Sequence, residues 1–125
     1  MSEARDLIAR AYAAVNARDA ETLIALATPD IVLATTVETH HGPAGVLEWL
    51  RRVDETLDDY EVEVVGVDEV GDHVVVSAHQ RGRGRASGVE IDHVFTHVWT
   101  LRDGRGAEMR AFTDREDALA YARGG

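Results

Sequence analysis

The chain has 125 residues, no cysteine, and 13 basic against 23 acidic side chains, a formal charge of −10 at neutral pH. Without thiols it has no disulfide, thiolate nucleophile or cysteine-ligated metal. Its acidic balance repels phosphate backbones and anionic headgroups, so neither nucleic acid nor a membrane is the expected partner. With 45% hydrophobic residues, the length suits one cored domain over residues 1–125. The opening Met-Ser-Glu-Ala-Arg-Asp-Leu lacks the apolar core of a signal peptide, so a cytoplasmic location is expected.

Leu7, Ile8, Ala11, Tyr12 and Val15 recur at helical spacing, predicting an amphipathic helix over about 3–17. Asp19 suits the N-cap of a second, short helix carrying Leu23, Ile24, Leu26 and Ala27. Thr28-Pro29-Asp30 should end it, because the residue before proline disfavours the α region. A strand then runs from Ile31 to Val37, and Gly42-Pro43 opens a third helix carrying Val46, Leu47, Leu50, Val53 and Leu57 inward.

After that the period changes to two. Tyr60 to Val70, His73 to about Arg81, 89–102 and 107–112 read as antiparallel strands. Gly71-Asp72, the glycine-rich 82–88 and Asp103-Gly104-Arg105 connect them. Thr113 with Glu116 forms a capping box for a terminal helix ending before Gly124, and Asp114, Glu116 and Asp117 serve only that helix's first turn. Helices against a curved antiparallel sheet make an α+β architecture.

In the long strand, Ile91, His93, Phe95, His97, Trp99 and Leu101 share one face. An apolar aromatic face carrying two imidazoles is the material of a small-molecule pocket; equally, both histidines fit as hydrogen-bonded core or rim residues. The opposite face, with Val94, Val98 and several threonines, is apolar enough to predict a homodimer.

The element order, with Tyr12–Asp19, His41-Gly42-Pro43-Ala44-Gly45, Val98-Trp-Thr-Leu-Arg-Asp-Gly-Arg105 and Met109–Leu119, resembles the nuclear transport factor 2-like superfamily. Its SnoaL-like and ketosteroid isomerase-like branch is the closer likeness, over essentially the full chain. The resemblance implies a cone-shaped sheet closed by the three helices of the N-terminal half, with a short C-terminal helix. A ligand pocket would lie inside, lined by Leu33, Thr35, Val76, Ala78, Gln80, His93, Phe95, His97, Trp99, Met109, Ala111 and Thr113, with Tyr12 and Trp49 reaching in from helices. Carried over residue by residue, the isomerase's general base falls on Thr35, which is no carboxylate. Its tyrosine donor falls on Ala11, one step from Tyr12, and its second oxyanion donor falls on His97. Steroid isomerisation by that mechanism is therefore not expected, and Asp92, Arg102 and Asp103 are misplaced for the epoxide hydrolase network.

His97 is the candidate for catalysis, since an imidazole with ordinary pKa near 6.5 exchanges protons at physiological pH. Its alternative is a neutral ring bonded to Gln80 or Thr35. Thr35, Gln80 and Thr113 would orient a carbonyl or hydroxyl, or satisfy one another. Trp99, Phe95, Tyr12, Trp49, Met109 and His93 complete the expected substrate-binding set. His93 and His97 have Cα atoms about 13 Å apart along the strand, too far to share a metal, so no metal site is expected. Glu38 sits near the mouth, as a base, an orienter of His40 or His41, or a solvated loop residue. His79, Arg81 and Arg83 follow the outward phase, and Arg81-Gly-Arg-Gly-Arg85 is a solvated hairpin end or a grip for an anion. No phosphate-binding glycine loop or Schiff-base lysine implies a cofactor. Two functions remain open: a cofactor-free isomerase, cyclase or dehydratase acting on a small apolar carbonyl compound, or a non-catalytic ligand-binding or dimerisation module.

Overall fold

The Ser2 hydroxyl accepts from the Arg5 N–H at 3.3 Å and starts α1, Glu3–Ala17, whose inner stripe of Leu7, Ile8, Ala11, Tyr12 and Val15 is buried. The computed structural model describes residues 2–124. Asp19 caps α2, Ala20–Ala25, through the Thr22 N–H at 3.1 Å. Then come β1 (Ala27–Ala34), β2 (Thr39–His41), α3 (Gly42–Thr56), β3 (Leu57–Val70), β4 (His73–Gly84), β5 (Glu90–Arg102), β6 (Arg105–Phe112) and α4 (Arg115–Ala122). The fold is α+β: six strands ordered β2-β1-β6-β5-β4-β3 curl around helices α1–α3 without closing.

The sheet is mixed rather than wholly antiparallel, because β1 lies parallel to β6. Side-chain period marks a strand's faces but not its neighbour's direction, so nothing in residues 27–34 announced this pairing. β1 also begins earlier than expected. α2 ends at Ala25, before Thr28-Pro29-Asp30, which itself lies inside β1 at an irregularity in the β1–β6 register, where a missing N–H is tolerated. The strand ends at Ala34 because Thr35 closes a turn on Glu38. The Thr35 N–H donates to the Glu38 carbonyl at 2.8 Å, and the Thr35 hydroxyl accepts from the Glu38 N–H at 3.0 Å. This reversal creates β2, which the sequence reading lacked.

Two bulges set what β3 turns inward. Asp59 adopts a left-handed φ of 55° where the register against β4 slips between Asp58 and Glu61, and a second slip follows Val64. Each inserts a residue and reverses the phase. Leu57, Tyr60, Val62 and Val67 thereby all reach the interior, while Val65 is left 55% exposed.

The convex side has its own small core. α4 lays Ala118 and Ala122 over Val75 and Val98, which are fully buried. Only part of the apolar stripe offered for a second copy is therefore free: Val98 is covered, and Val94 is 56% exposed. The cap of α4 is Asp114, accepting from the Glu116 N–H at 2.7 Å, in place of Thr113. The basic knot is an exposed hairpin end, as expected, but more of it is strand than the sequence reading gave. β4 continues to Gly84 and Arg85 opens the turn, and Arg81, Arg83 and Arg85 meet Glu61, Asp59 and Asp58 on β3 at 3.5, 3.4 and 3.1 Å.

Candidate functional site

The concave side of β5 is anchored by Trp99, whose ring edge Cε3–Cζ3 fills the space over Gly106 on β6. A Cβ there would stand 2.9 Å from Trp99 Cζ3, so the tryptophan occupies the space a side chain would take. From this position the Trp99 indole N–H donates to the Tyr12 hydroxyl oxygen at 3.1 Å. That oxygen lies 2.6 Å from His97 Nδ1. All three residues are buried, with 6–8% of their surface exposed. Asn16, one turn further along α1, clamps this helix to the sheet edge: its amide donates to the Val62 carbonyl at 2.8 Å and accepts from the Val62 N–H at 2.9 Å.

Burial decides the ionisation here. Desolvation pushes the His97 pKa down to about 4, so the ring is neutral at physiological pH rather than poised near 6.5. Burial likewise drives the Tyr12 hydroxyl well above its ordinary range, only partly countered by the Trp99 hydrogen bond. A protonated Tyr12 that already accepts from Trp99 has one hydrogen to give, and His97 Nδ1 is the acceptor in reach. Nδ1 must then be bare, and the proton of the neutral ring sits on Nε2. The Gln80 amide is placed with its nitrogen 3.2 Å from that Nε2, an orientation in which its oxygen and nitrogen are interchangeable. An amide and an imidazole cannot meet donor to donor, so Gln80 presents its carbonyl oxygen to the Nε2–H. The result is one directed chain from Trp99 through Tyr12 and His97 to Gln80.

His97 stands between two chambers. The inner one, about 50 Å³, is walled by apolar side chains of α1, α2 and β1 together with Tyr12 and Trp99. At about 24 cal/mol per Å³, leaving such a space unfilled costs roughly 1 kcal/mol of packing. The outer chamber, about 320 Å³, lies in the range of ligand pockets and opens between α3 and the β1–β2 turn. Four residues line both: Trp49, Tyr60, His97 and Met109. Among the described residues lining the outer chamber, Glu38 is the only carboxylate and Arg52 the only cation. They hold each other across the rim through two hydrogen bonds, at 3.0 and 3.2 Å.

Of the residues expected from sequence, Tyr12, Thr35, Trp49, Gln80, Phe95, His97, Trp99 and Met109 come together around these two chambers. His93 and Thr113 do not: His93 is exposed, its ring edge-on to Phe95, and Thr113 is exposed in the turn before α4. β5 carries His93 past the mouth, and the hydroxyl of Thr113 follows the end of β6. Thr35 lines the outer chamber, but its hydroxyl is engaged by its own turn. Glu38, the mouth carboxylate, also lies 3.5 Å from His40, which is buried and bonded to Glu48 at 2.7 Å. Among the described residues no group of three or more possible ligands is placed to hold a metal. No described helix is long and apolar enough to cross a membrane.

The sequence reading missed Tyr60 and Arg52. Burial pushes the Tyr60 hydroxyl up to about 12, and the Arg18 guanidinium lies 5.4 Å from the centre of its ring. Its inward phase was legible once Val62 is set opposite Gln80; the bulge at Asp59 was not.

Residues 8–109 match the model of the SnoaL-like domain. Among solved structures, a nuclear transport factor 2-like protein of unknown function from Burkholderia pseudomallei superposes with a TM-score of 0.82. It is 22% identical, over 95% of this chain and 96% of that one. A SnoaL-like polyketide cyclase candidate from Jannaschia sp. gives 0.78 at 23% identity, covering 98% and 93%. TerC, co-crystallised with polyporic acid, gives 0.80 at 26% identity, covering 99% and 100%. No curated protein sequence matches this chain.

Proposed function

Because the chain belongs to the SnoaL-like domain family of the nuclear transport factor 2-like superfamily, we propose that it is a cofactor-independent enzyme of the isomerase, cyclase or dehydratase type. Its substrate is a small, largely apolar carbonyl compound held in the outer chamber. The observation that carries this reading is the buried series of contacts from Trp99 through Tyr12 to His97. With Tyr12 donating to Nδ1, the neutral ring holds its proton on Nε2, on the side of Gln80 and the outer chamber. A carbonyl oxygen displaces the Gln80 oxygen and accepts from that N–H. Negative charge builds on the oxygen as a solvent-borne base entering the open outer chamber takes the proton from the adjacent carbon. Each donor behind His97 polarises the next, and the apolar walls around the donor limit screening. His97 stays neutral throughout, acting as a hydrogen-bond donor rather than a cationic acid. Trp49, Tyr60, Phe95 and Met109 hold the substrate's apolar body. The fold likeness to a polyketide cyclase candidate and to a protein co-crystallised with polyporic acid supports a carbonyl-processing role.

One observation favours the second reading, a non-catalytic binding module. Glu38, the chamber's carboxylate, is held by Arg52 rather than free to take a proton. Benzoylacetone, an enolisable aryl diketone, separates the two. Proton NMR in deuterated buffer should show faster exchange at its central carbon with the parent protein than with His97→Ala. Binding without acceleration in the parent would leave the module as the better account.

A further inference from the structure

Resting on the carbonyl reading of His97, we infer that the substrate is a ketone whose two arms differ in size: a ring system in the outer chamber and a short alkyl arm, about two carbons long, in the inner one. The chambers abut at His97, Trp49, Tyr60 and Met109. His97 turns Nε2 toward Gln80, which lines the outer chamber alone. An oxygen bonded there therefore places its carbonyl carbon in the outer chamber beside the shared wall of Trp49, Tyr60 and Met109, with the shorter substituent directed inward past that wall. The outer space of about 320 Å³ accommodates a ring. The inner space of about 50 Å³ does not. An apolar cavity of about 150 Å³ takes up benzene, so a third of that volume corresponds to about two carbons. Its walls leave little choice of chemistry. Leu7, Ala11, Val15, Leu23 and Leu33 surround it beyond Tyr60, which stands at the shared wall, and the other buried polar side chains at its edge, Tyr12 and Trp99, are already bonded to each other and to His97. A hydroxyl or carboxylate pushed in past Tyr60 would lose water among these apolar walls.

The test is a homologous series on the full chain: benzaldehyde, acetophenone, propiophenone, butyrophenone and valerophenone. Binding is read from the indole N–H signals of Trp49 and Trp99 in nitrogen-15 NMR. Each carbon that enters the inner chamber should tighten binding about fourfold. The gain should stop at propiophenone and reverse with longer arms. Ala11→Val fills the chamber and should move the break to the shorter ketones. Val15→Ala enlarges it and should move the break to butyrophenone or beyond. Indole signals that remain dispersed show that each variant is folded. An affinity that climbs evenly to valerophenone, a break that stays put in both variants, or no binding by any member overturns the inference. Because the readout is binding, a ladder that breaks at two carbons stands even where none of these ketones turns over. Turnover without a ladder would remove the alkyl pocket and leave the catalytic reading intact.

Discussion

The two faces of the sheet treat the same residue types in opposite ways. His97 on β5 and His79 on the adjacent β4 are both strand histidines with hydrogen-bonding neighbours. On the concave face His97 is buried, neutral and joined to uncharged groups: Tyr12, Gln80 and, through Tyr12, Trp99. On the convex face His79 bonds Asp92 and lies 4.0 Å from Glu63, in a field of ion pairs that includes Arg81 with Glu61 and Arg83 with Asp59. Water decides the difference. Where it is excluded, charge is too costly and polarity survives as directed hydrogen bonds; where it remains, charges persist and pair loosely. A reaction that needs an oriented, unscreened donor belongs on the concave side, and the chain's excess of acid can accumulate harmlessly on the other.

The contrast breaks most visibly at Trp99. Removing the ring by Trp99→Ala leaves a hole over Gly106, strips the Tyr12 oxygen of its donor and should destabilise the fold by about 3–5 kcal/mol in urea unfolding. A loss below about 1 kcal/mol would mean that the ring does little of the packing its burial implies. His97→Ala acts next, on rate rather than stability. Loss of an oxyanion donor should lower kcat for an identified substrate by about 10²–10³, or 2.7–4 kcal/mol. His97→Gln, which can donate but not titrate, should recover much of that loss. A glutamine variant as inactive as the alanine one would instead assign His97 to proton transfer.

The ionisation of His97 gives a subtler test. Its pKa falls from 6.5 to about 4 on folding, so between those values the unfolded chain binds a proton that the folded chain refuses. The stabilisation is complete above pH 6.5 and is lost as the pH falls through about 4, a change of roughly 3 kcal/mol at 1.36 kcal/mol per pH unit. The carboxylates held low, Asp19, Asp30 and Asp92, lose their contribution below their ordinary 3.8, outside this window. Subtracting the pH dependence of unfolding of His97→Gln from that of the parent should isolate the slope. Identical curves would show that the ring is not desolvated.

Much of the concave face was legible because period-two alternation is a local property. Ile91 to Leu101 fixed which side of β5 holds Phe95, His97 and Trp99, and the 3.6-residue stripe of α1 turned Tyr12 inward. The family likeness brought Trp49, Gln80 and Met109 to the same place. Properties set by distant neighbours were not legible. Nothing near His97 in sequence says that Tyr12 donates to it, so its pKa was read as ordinary. The parallel pairing of β1 depends on where β6 arrives. The bulge at Asp59, which brings Leu57 to the same side as Tyr60, follows from the register against β4 and not from a pattern in β3 itself. His93 and Thr113 were misplaced because alternation continues beyond the point where the helices stop covering the sheet. Val98 was offered to a partner because no rule of spacing shows that α4 returns to cover it.

The smallest effect is the most specific to the contrast. His79→Ala removes an imidazole that is close to His97 in the chain's hydrogen-bond ladder but on the other face: His79 pairs in register with Val94, and His97 with Val76. The substitution cuts the bond to Asp92, whose carboxyl His79 holds below its ordinary range. It leaves every member of the Trp99–Tyr12–His97 chain in place. Turnover of a substrate that responds to His97→Ala should therefore stay within about twofold of the parent, with kcat and KM both unmoved. Asp92 should titrate closer to an ordinary aspartate, which carbon-13 NMR of its carboxyl would follow. A rate loss comparable to that of His97→Ala would show the two faces to be coupled through the backbone of β4. The convex charges would then belong to the site rather than to the surface.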